Sequence, residues 1–413
     1  MLKQENSWYA WYVLFLLTFV YVLNFVDRTI ILYLFPLIKR EFTFTDLQLS
    51  LLGTTAFVIF YTTLGIFFGR LADRTSRVRI IAFGLALWSL FTGLTGFAWD
   101  FWSIFFCRVM VGIGEATLGP AAISLLADYF PPSKRATVTS IYSMGIALGA
   151  GFAAFFGGLI GEVYGWRAAF YLLGFPGVLV AIFVYLIREP TRTSDSSVIH
   201  HSSNNWRALV TNKAFILLCL GYAFLGLATN NLSIWGATFY NRLHGFDLKT
   251  IGFWGGLLTL LGGIPATIFG GQIADFFRQR VKGGRMLYGS LVCLLCVPFW
   301  ILWLTTDEPF LILLANGVLL FLSLSWLGAA AADATEIAGS NLRGLATAIY
   351  FFSVNIAAYL VGSNLIGYLS DLLGATDNPG MMRYSLAVCP ISCLLGATCL
   401  WLGSQLIQKN GSQ

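Results

Sequence analysis

Four ionisable side chains in this sequence stand where water is scarce: Asp27, Arg28, Arg108 and Glu115. Each interrupts an apolar run long enough to cross a bilayer, and all four fall in the first half of the chain. A charge at the centre of a membrane helix costs roughly 2.5–3.5 kcal/mol on insertion scales, so such residues mark a pathway or pair with one another. The proton affinity of a carboxylate responds in opposite senses to burial and to a neighbouring Arg, which makes Asp27 and Glu115 candidate proton carriers. The planar fork of Arg28 suits a carboxylate or a phosphate, so Arg28 is the candidate anchor for an anion. If Arg28 pairs with Glu115 in one state and with substrate in another, protonating Glu115 frees the Arg. The plainer alternative is a static network, Asp27 with Arg108 and Arg28 with Glu115, that ties two helices together. For Arg108 that structural role weighs as heavily as a functional one.

The elements that carry these residues follow from composition. Of 413 residues, 57% are hydrophobic and 11% are charged, against about a quarter charged in soluble domains. With 25 Lys and Arg and 19 Asp and Glu, the chain cannot coat a water-facing surface of its size. That excludes a set of soluble domains, a disordered chain, a disulfide scaffold and a nucleic-acid binder. A bilayer-spanning helix needs about 20 mostly apolar residues. Twelve runs qualify, at roughly 11–38, 47–69, 79–99, 102–127, 136–161, 167–187, 213–240, 250–277, 286–305, 309–332, 344–370 and 384–407. They do not alternate as barrel strands do. The expected fold is an all-α integral membrane protein of twelve transmembrane helices.

Twelve spans put both termini on one side, and Lys and Arg say which. The N-terminal side holds 17 basic residues, the opposite loops hold 6, and only Arg28 and Arg108 remain inside the membrane. Both termini are therefore expected in the cytoplasm, and the net charge of +6 is an orientation signal. The polar stretch around 191–212 reads as a cytoplasmic linker between six-helix halves at 1–190 and 213–413. Seven cysteines fall mostly in apolar runs, where Cys behaves as a small hydrophobe, so Cys293-x-x-Cys296 is read as core. The three histidines, His200, His201 and His244, fall in expected loops, which leaves no intramembrane imidazole for a metal. No cofactor or metal site is expected. The first apolar run has only Lys3 before it and contains Asp27 and Arg28, so no cleavable signal is read there.

The halves repeat. Gly69-Arg70-Leu71-Ala72-Asp73-Arg74 follows span two, and Gly271-Gln272-Ile273-Ala274-Asp275 follows span eight, with Gly and Asp matching at an offset of 202. Asp128 and Arg135 match Glu336 and Arg343 at an offset of 208, as Tyr142 matches Tyr350. Parallel six-helix repeats of this kind suit a carrier that rocks one half against the other around a central site. The Gly69–Arg77 segment resembles the signature of the major facilitator superfamily between helices two and three. Arg108-x-x-x-Gly112-x-Gly114-x-Ala116, Gly165-Trp166-Arg167 and Arg188-Glu189-Pro190 are also similar to its members. Phe276 departs from the basic residue that pattern has after Asp275. Asn24-Phe25-Val26-Asp27-Arg28 and Gly112-Ile113-Gly114-Glu115-Ala116 resemble the spinster branch. That resemblance implies a proton-linked or facilitative carrier of sphingoid or lysophospholipid-like amphiphiles, acting as a monomer, here expected in a bacterial inner (plasma) membrane. Sugar-acid and organic-anion symporters of the superfamily share the Asp-Arg and can share the Gly-Glu-Ala.

The remaining candidates divide by depth. Asp73, Arg74, Asp128, Arg135, Asp275, Glu336 and Arg343 stand at cytoplasmic span ends, where ion pairs between the halves would close a gate; positive-inside topology alone is the plainer reading. The second half shows no charge at mid-depth but carries amides and aromatics: Asn230, Asn231 and Trp235 in span seven, Asn316 and Trp326 in span ten, Asn355 and Tyr359 in span eleven. Asn24, Arg28, Tyr142, Asn230, Asn231, Trp326 and Asn355 are the candidate substrate contacts. Buried amides need partners, and neighbours such as Asn230 and Asn231 cannot face one partner together, so one of them is expected to face a cavity. In span five, Gly145, Gly149, Ala153, Gly157 and Gly161 recur every four residues, a small-residue line along which span five is expected to slide on a helix of the other half. Ala153-Ala154 stands where the superfamily's antiporter signature has Gly-Pro, which counts against a drug–proton antiporter. An enzyme would need a nucleophile–base pair or metal cluster at depth, a channel a charged ring or filter loop, and an ATP-driven pump a Walker A sequence; none is present in the sequence. The expected function is a secondary transporter, proton-coupled, for an anionic or amphiphilic solute, with a sugar-acid or other organic-anion symporter as the alternative.

Overall fold

Backbone amides in hydrocarbon have no water to bond, so each apolar run must satisfy its own hydrogen bonds as a helix. The computed structural model describes residues 7–131, 134–190, 206–338 and 342–410. Span one is α1 (Ser7–Phe42), and span two is α2 (Asp46–Ser50), a π-helical turn at Leu51–Thr55 and α3 (Ala56–Arg74). Span three is α4 (Arg77–Thr95), and span four is split into α5 (Phe101–Glu115) and α6 (Leu118–Tyr129). Spans five and six run through α7 (Arg135–Gly174) and α8 (Pro176–Tyr185), and the short α9 (Trp206–Thr211) precedes the second half. There α10 (Lys213–His244), α11 (Leu248–Arg280) and α12 (Gly284–Thr305) form spans seven to nine. Span ten is α13 (Pro309–Ser325) with α14 (Leu327–Ala338). Span eleven is α15 (Arg343–Asn355), a π-helical stretch at Ile356–Gly362 and α16 (Ser363–Leu372), and span twelve is α17 (Met382–Leu386) with α18 (Val388–Asn410).

Among the described residues, eleven helical runs are long and apolar enough to cross a membrane. One of them, Thr137–Tyr185, is 49 residues long, about 74 Å if straight at 1.5 Å per residue, more than twice the hydrocarbon thickness. It is not straight. Gly165 has φ 82° and ψ 164°, a conformation open to glycine and closed to most side chains. The chain bends there, and the run makes spans five and six, twelve crossings in all. The exposed faces carry large apolar side chains, among them Phe67, Leu179, Ile182, Leu261 and Leu295. Such a surface is solvated by lipid and would aggregate in water.

The chain forms two compact units, Met1–Ile199 with Phe246–Leu257, and His200–Gly245 with Leu258–Gln413. The expected linker falls largely on residues 191–205, outside the described residues. Within the first unit, the small-residue line of span five does not run where it was expected. A Cβ on Gly149 would lie 2.5 Å from Phe25 Cβ and 2.5 Å from the Val22 carbonyl, and one on Gly145 would lie 3.0 Å from Tyr21 Cβ. Ala153 packs with Val22 and Val26. The line therefore seats α7 against α1 of its own half. The face that meets the start of α11 is displaced by one residue: Gly158 stands 2.9 Å, at an added Cβ, from the Gly252 Cα, and Glu162 Oε2 accepts the Leu248 N–H at 3.0 Å.

Candidate functional site

Span four cannot continue as one helix. Pro120 has no N–H for the Ala116 carbonyl, and its ring presses on that oxygen. So α5 stops at Glu115 and α6 restarts at Leu118, with Thr117 Oγ1 donating to the Gly114 carbonyl at 2.8 Å. Glu115 thus closes a helix whose C-terminal end favours a cation, and Arg28 of α1 supplies one. Its Nε and Nη2 both donate to Glu115 Oε2, at 3.0 and 2.9 Å. The rings of Phe25, Phe57 and Tyr61 surround the guanidinium with centroids 4.8, 4.7 and 4.6 Å from Cζ, cation–π contacts that hold it in place. The helix comes this close because Gly112 and Gly114 lack side chains. A Cβ at 112 would lie 2.5 Å from the Phe57 carbonyl oxygen, and one at 114 would lie 2.8 Å from the Trp88 nitrogen. Gly-x-Gly-Glu therefore draws α5 onto α3 and α4 and delivers the carboxylate beside α1.

The ion pair of the static alternative, Asp27 with Arg108, is not made. Arg108 instead donates from Nη1 to the Asp27 carbonyl and from Nη2 to the Arg28 carbonyl, both at 3.1 Å. The Asp27 side chain reaches Ser89 of α4, whose Oγ donates to Oδ2 at 3.4 Å. Arg108 lies seven residues, about two turns, before Glu115 on the same helix face, so it clamps the backbone of α1 at the place where Arg28 emerges. It is a positioning residue for Arg28. Around this clamp Asn24 stands beside the Glu115 carboxylate and Trp88 beside Asp27, while Arg108 Nε and Tyr142 Oη are buried with no hydrogen-bond partner. Tyr142 stacks on Tyr21 with ring centroids 4.4 Å apart and planes 5° from parallel.

At the end of the first unit that bears Gly69–Arg77, Arg77 is buried and donates from Nη1 to Asp128 Oδ2 at 2.5 Å and from Nε to Glu189 Oε1 at 2.8 Å. Burial pulls the Glu189 carboxyl up, but the Val78 amide and the Arg77 guanidinium outweigh it and hold the group below the usual carboxylate range. Arg135 donates to the Ala127 carbonyl at 3.0 Å, and Arg74 is exposed. The Asp73 side chain lies outside the described residues. In the second unit, Arg285 donates to Asp275 Oδ1 at 2.8 Å and to Glu336 Oε2 at 2.9 Å, and Arg278 donates to Glu336. Arg343 opens α15 and is exposed. The ion pairs that these gate candidates make run within one unit. Arg77 and Arg285 stand at the offset of 208 that relates Asp128 to Glu336, so each half holds the same Arg–carboxylate bond.

The two amides of span seven have partners. Asn230 accepts from Tyr359 Oη at 2.8 Å and donates to the Gly226 carbonyl at 2.8 Å. Asn231 Nδ2 donates to the Leu227 carbonyl at 2.8 Å and to Ala358 in the π-helical stretch at 3.2 Å. Both bond to span eleven; Asn230 stays part-exposed, while Asn231 is buried and its Oδ1 lacks a partner. Asn355 ends α15 where the π-helical stretch begins. Trp326, at the break in span ten, stacks on Tyr222 at 5.4 Å and 14°, and Asn316 is buried in α13. The ring cage of Phe25, Phe57 and Tyr61 escaped the sequence reading because 36 Phe residues give no contrast. Arg77 and Arg285 escaped because topology already accounted for them.

Residues 17–358 match the family model of the major facilitator superfamily. The chain belongs to the major facilitator superfamily. Within this superfamily it is 28% identical over 406 residues to an MFS-type efflux pump of Mycolicibacterium smegmatis, covering 97% of this chain and 94% of that protein. It is 27% identical over 422 residues to human protein spinster homolog 1, covering 92% and 78%. Among solved structures it resembles a bacterial homologue of the human lysosomal transporter spinster, in an inward-facing and occupied conformation. That likeness has a TM-score of 0.84 at 27% identity and covers 96% of this chain and 97% of that one. The chain is a multi-pass membrane transporter of this superfamily with spinster-like character, and not an enzyme.

Proposed function

We propose that this transporter is a proton-coupled secondary carrier of an amphiphile with an anionic head group, of the lysophospholipid or sphingoid kind. The observation that carries the reading is the Arg28–Glu115 pair. One carboxylate oxygen takes both guanidinium bonds, and Asn24 stands beside the same carboxylate. Arg28 is held by a group that a proton can neutralise. A protonated Glu115 binds Arg28 far less strongly, and a phosphate or carboxylate then takes its place in the fork. Asp27, one residue away, is the second proton-linked carboxylate. Asn230 and Asn355, both part-exposed, are the amide contacts assigned to the path, while the buried Asn231, Tyr142 and Trp326 shape it from behind. The halves at 1–190 and 213–413 alternate by a rocking motion, joined through 191–212, and the chain acts as a monomer. Asp73, Arg74, Asp128, Arg135, Asp275, Glu336 and Arg343 govern closure at the end we place in the cytoplasm of a bacterium, with the protein in its inner membrane.

Spinster-like relatives and the ring cage around Arg28 support the amphiphile; a sugar acid or other organic anion is the alternative that the same Arg would serve. The two are separated by flux. Purified protein in phosphatidylcholine vesicles is expected to move a fluorescent lysophospholipid, faster under a pH gradient than without one, and to leave a radiolabelled sugar acid at the rate of protein-free vesicles. Gradient-driven uptake of the sugar acid alone would transfer the assignment to the alternative.

A further inference from the structure

The two halves follow one plan, so a polar side chain standing where the other half uses leucine is not required by the fold. At the offset of 208, span ten aligns with span four: both break after α5 or α13, and Pro120 corresponds to Gly328. Leu118 then corresponds to Trp326, and Leu125 to Asp333. Leu125 is fully buried, and Asp333 is nearly so. Asp333 stands one residue past the apolar run at 309–332.

Asp333 shares its surroundings unequally. Arg285 Nη1 lies 3.7 Å from Asp333 Oδ1, beyond hydrogen-bond length. The same guanidinium is bonded to Asp275 Oδ1 at 2.8 Å and to Glu336 Oε2 at 2.9 Å. Arg278, the other guanidinium here, is bonded to Glu336. Three carboxylates thus draw on two guanidinium groups. The Asp333 side chain is 5% exposed, against 60% for Asp275 and 45% for Glu336. Asp333 Oδ2 is buried with no hydrogen-bond partner. The groups that face it are Arg285 from α12, Arg278 from α11, Glu336 from its own helix and Tyr222 from α10; Tyr288 and Tyr350 stand beside Tyr222, and Asp275 is bonded to Arg285. Water can compensate the two exposed carboxylates but not this one.

We propose that Asp333 is a proton-binding site in the second half, whose protonation leaves Arg285 to Asp275 and Glu336. The proton comes from water and goes to Oδ2; the carboxylate becomes a neutral acid and the cluster loses one negative charge. Its part in a transport cycle rests on the proton-coupled reading above, but its proton binding does not. The test is therefore a pH-difference infrared spectrum of the purified full chain in phosphatidylcholine vesicles, with no substrate. The wild type is expected to show a carboxylic-acid carbonyl band that disappears as pH rises. That band is absent in Asp333→Asn and retained in Glu115→Gln. Asp333→Leu, which restores the side chain of the first half, is expected to melt as the wild type does and to lack the same band. Unchanged carboxyl bands in both Asp333 variants overturn the proposal. So does a melting point of Asp333→Leu far below wild type, which would make the carboxylate a structural element.

Discussion

Replacing Arg28 by Lys is expected to slow lysophospholipid flux in reconstituted vesicles by roughly ten- to a hundredfold, although the charge is kept. Lys offers one compact ammonium where Arg offers a planar fork. Nε and Nη2 together hold Glu115 Oε2, and one charge-assisted bond of that kind is worth about 1.5–3 kcal/mol, with each 1.4 kcal/mol a factor of about ten. The flat face against Phe25, Phe57 and Tyr61 is lost as well. Arg28→Ala is expected to stop flux altogether, because a buried pair stripped of one partner is destabilised by about 3–5 kcal/mol. Flux at the wild-type rate in Arg28→Lys, with melting unchanged, would remove Arg28 from the role of anchor.

Gly149→Val is expected to damage the folding of the first half severely. Its added Cβ would meet the Phe25 side chain and the Val22 carbonyl at 2.5 Å each, and neither yields without moving α1. Since α1 also carries Asn24, Asp27 and Arg28, the shift displaces the site. Overpacking in a well-packed core costs typically about 1–3 kcal/mol. The cost here falls at the upper end or above, because one contact is with backbone. Gly157→Ala is the control, with its nearest neighbour at 3.3 Å on the Ile30 side chain. Thermal melts in detergent should show a clear loss of stability for Gly149→Val and little for Gly157→Ala. Equal melting of the two would show that the line does not seat α7 on α1.

Twelve spans and the depth of four charges could be read from the sequence because lipid imposes one rule on every residue of a span. The pairing of Arg28 with Glu115 was legible for the same reason: few partners exist at that depth. What Arg108 does was not legible. Its acceptors are backbone carbonyls of Asp27 and Arg28, and carbonyls carry no sequence signal. The direction of the small-residue line was also hidden, since a four-residue period names a face but not the neighbour. The partners of the span-seven amides were not legible, because their acceptors lie on the chain's own preceding turn and on a π-helical stretch of span eleven, a local deviation that composition does not announce. Asp333 was passed over because it stands at the end of its apolar run, and only the repeat shows that leucine would serve there.

Proton coupling through Glu115 is read most directly by uptake of a fluorescent lysophospholipid at fixed internal and varied external pH, comparing wild type with Glu115→Gln. Gln keeps the shape and an acceptor oxygen for Arg28 but cannot exchange a proton. Wild-type uptake is predicted to follow the imposed pH gradient, and Glu115→Gln uptake to proceed at one rate whatever the gradient. A Glu115→Gln carrier that kept the wild-type pH dependence would contradict the role given to this carboxylate.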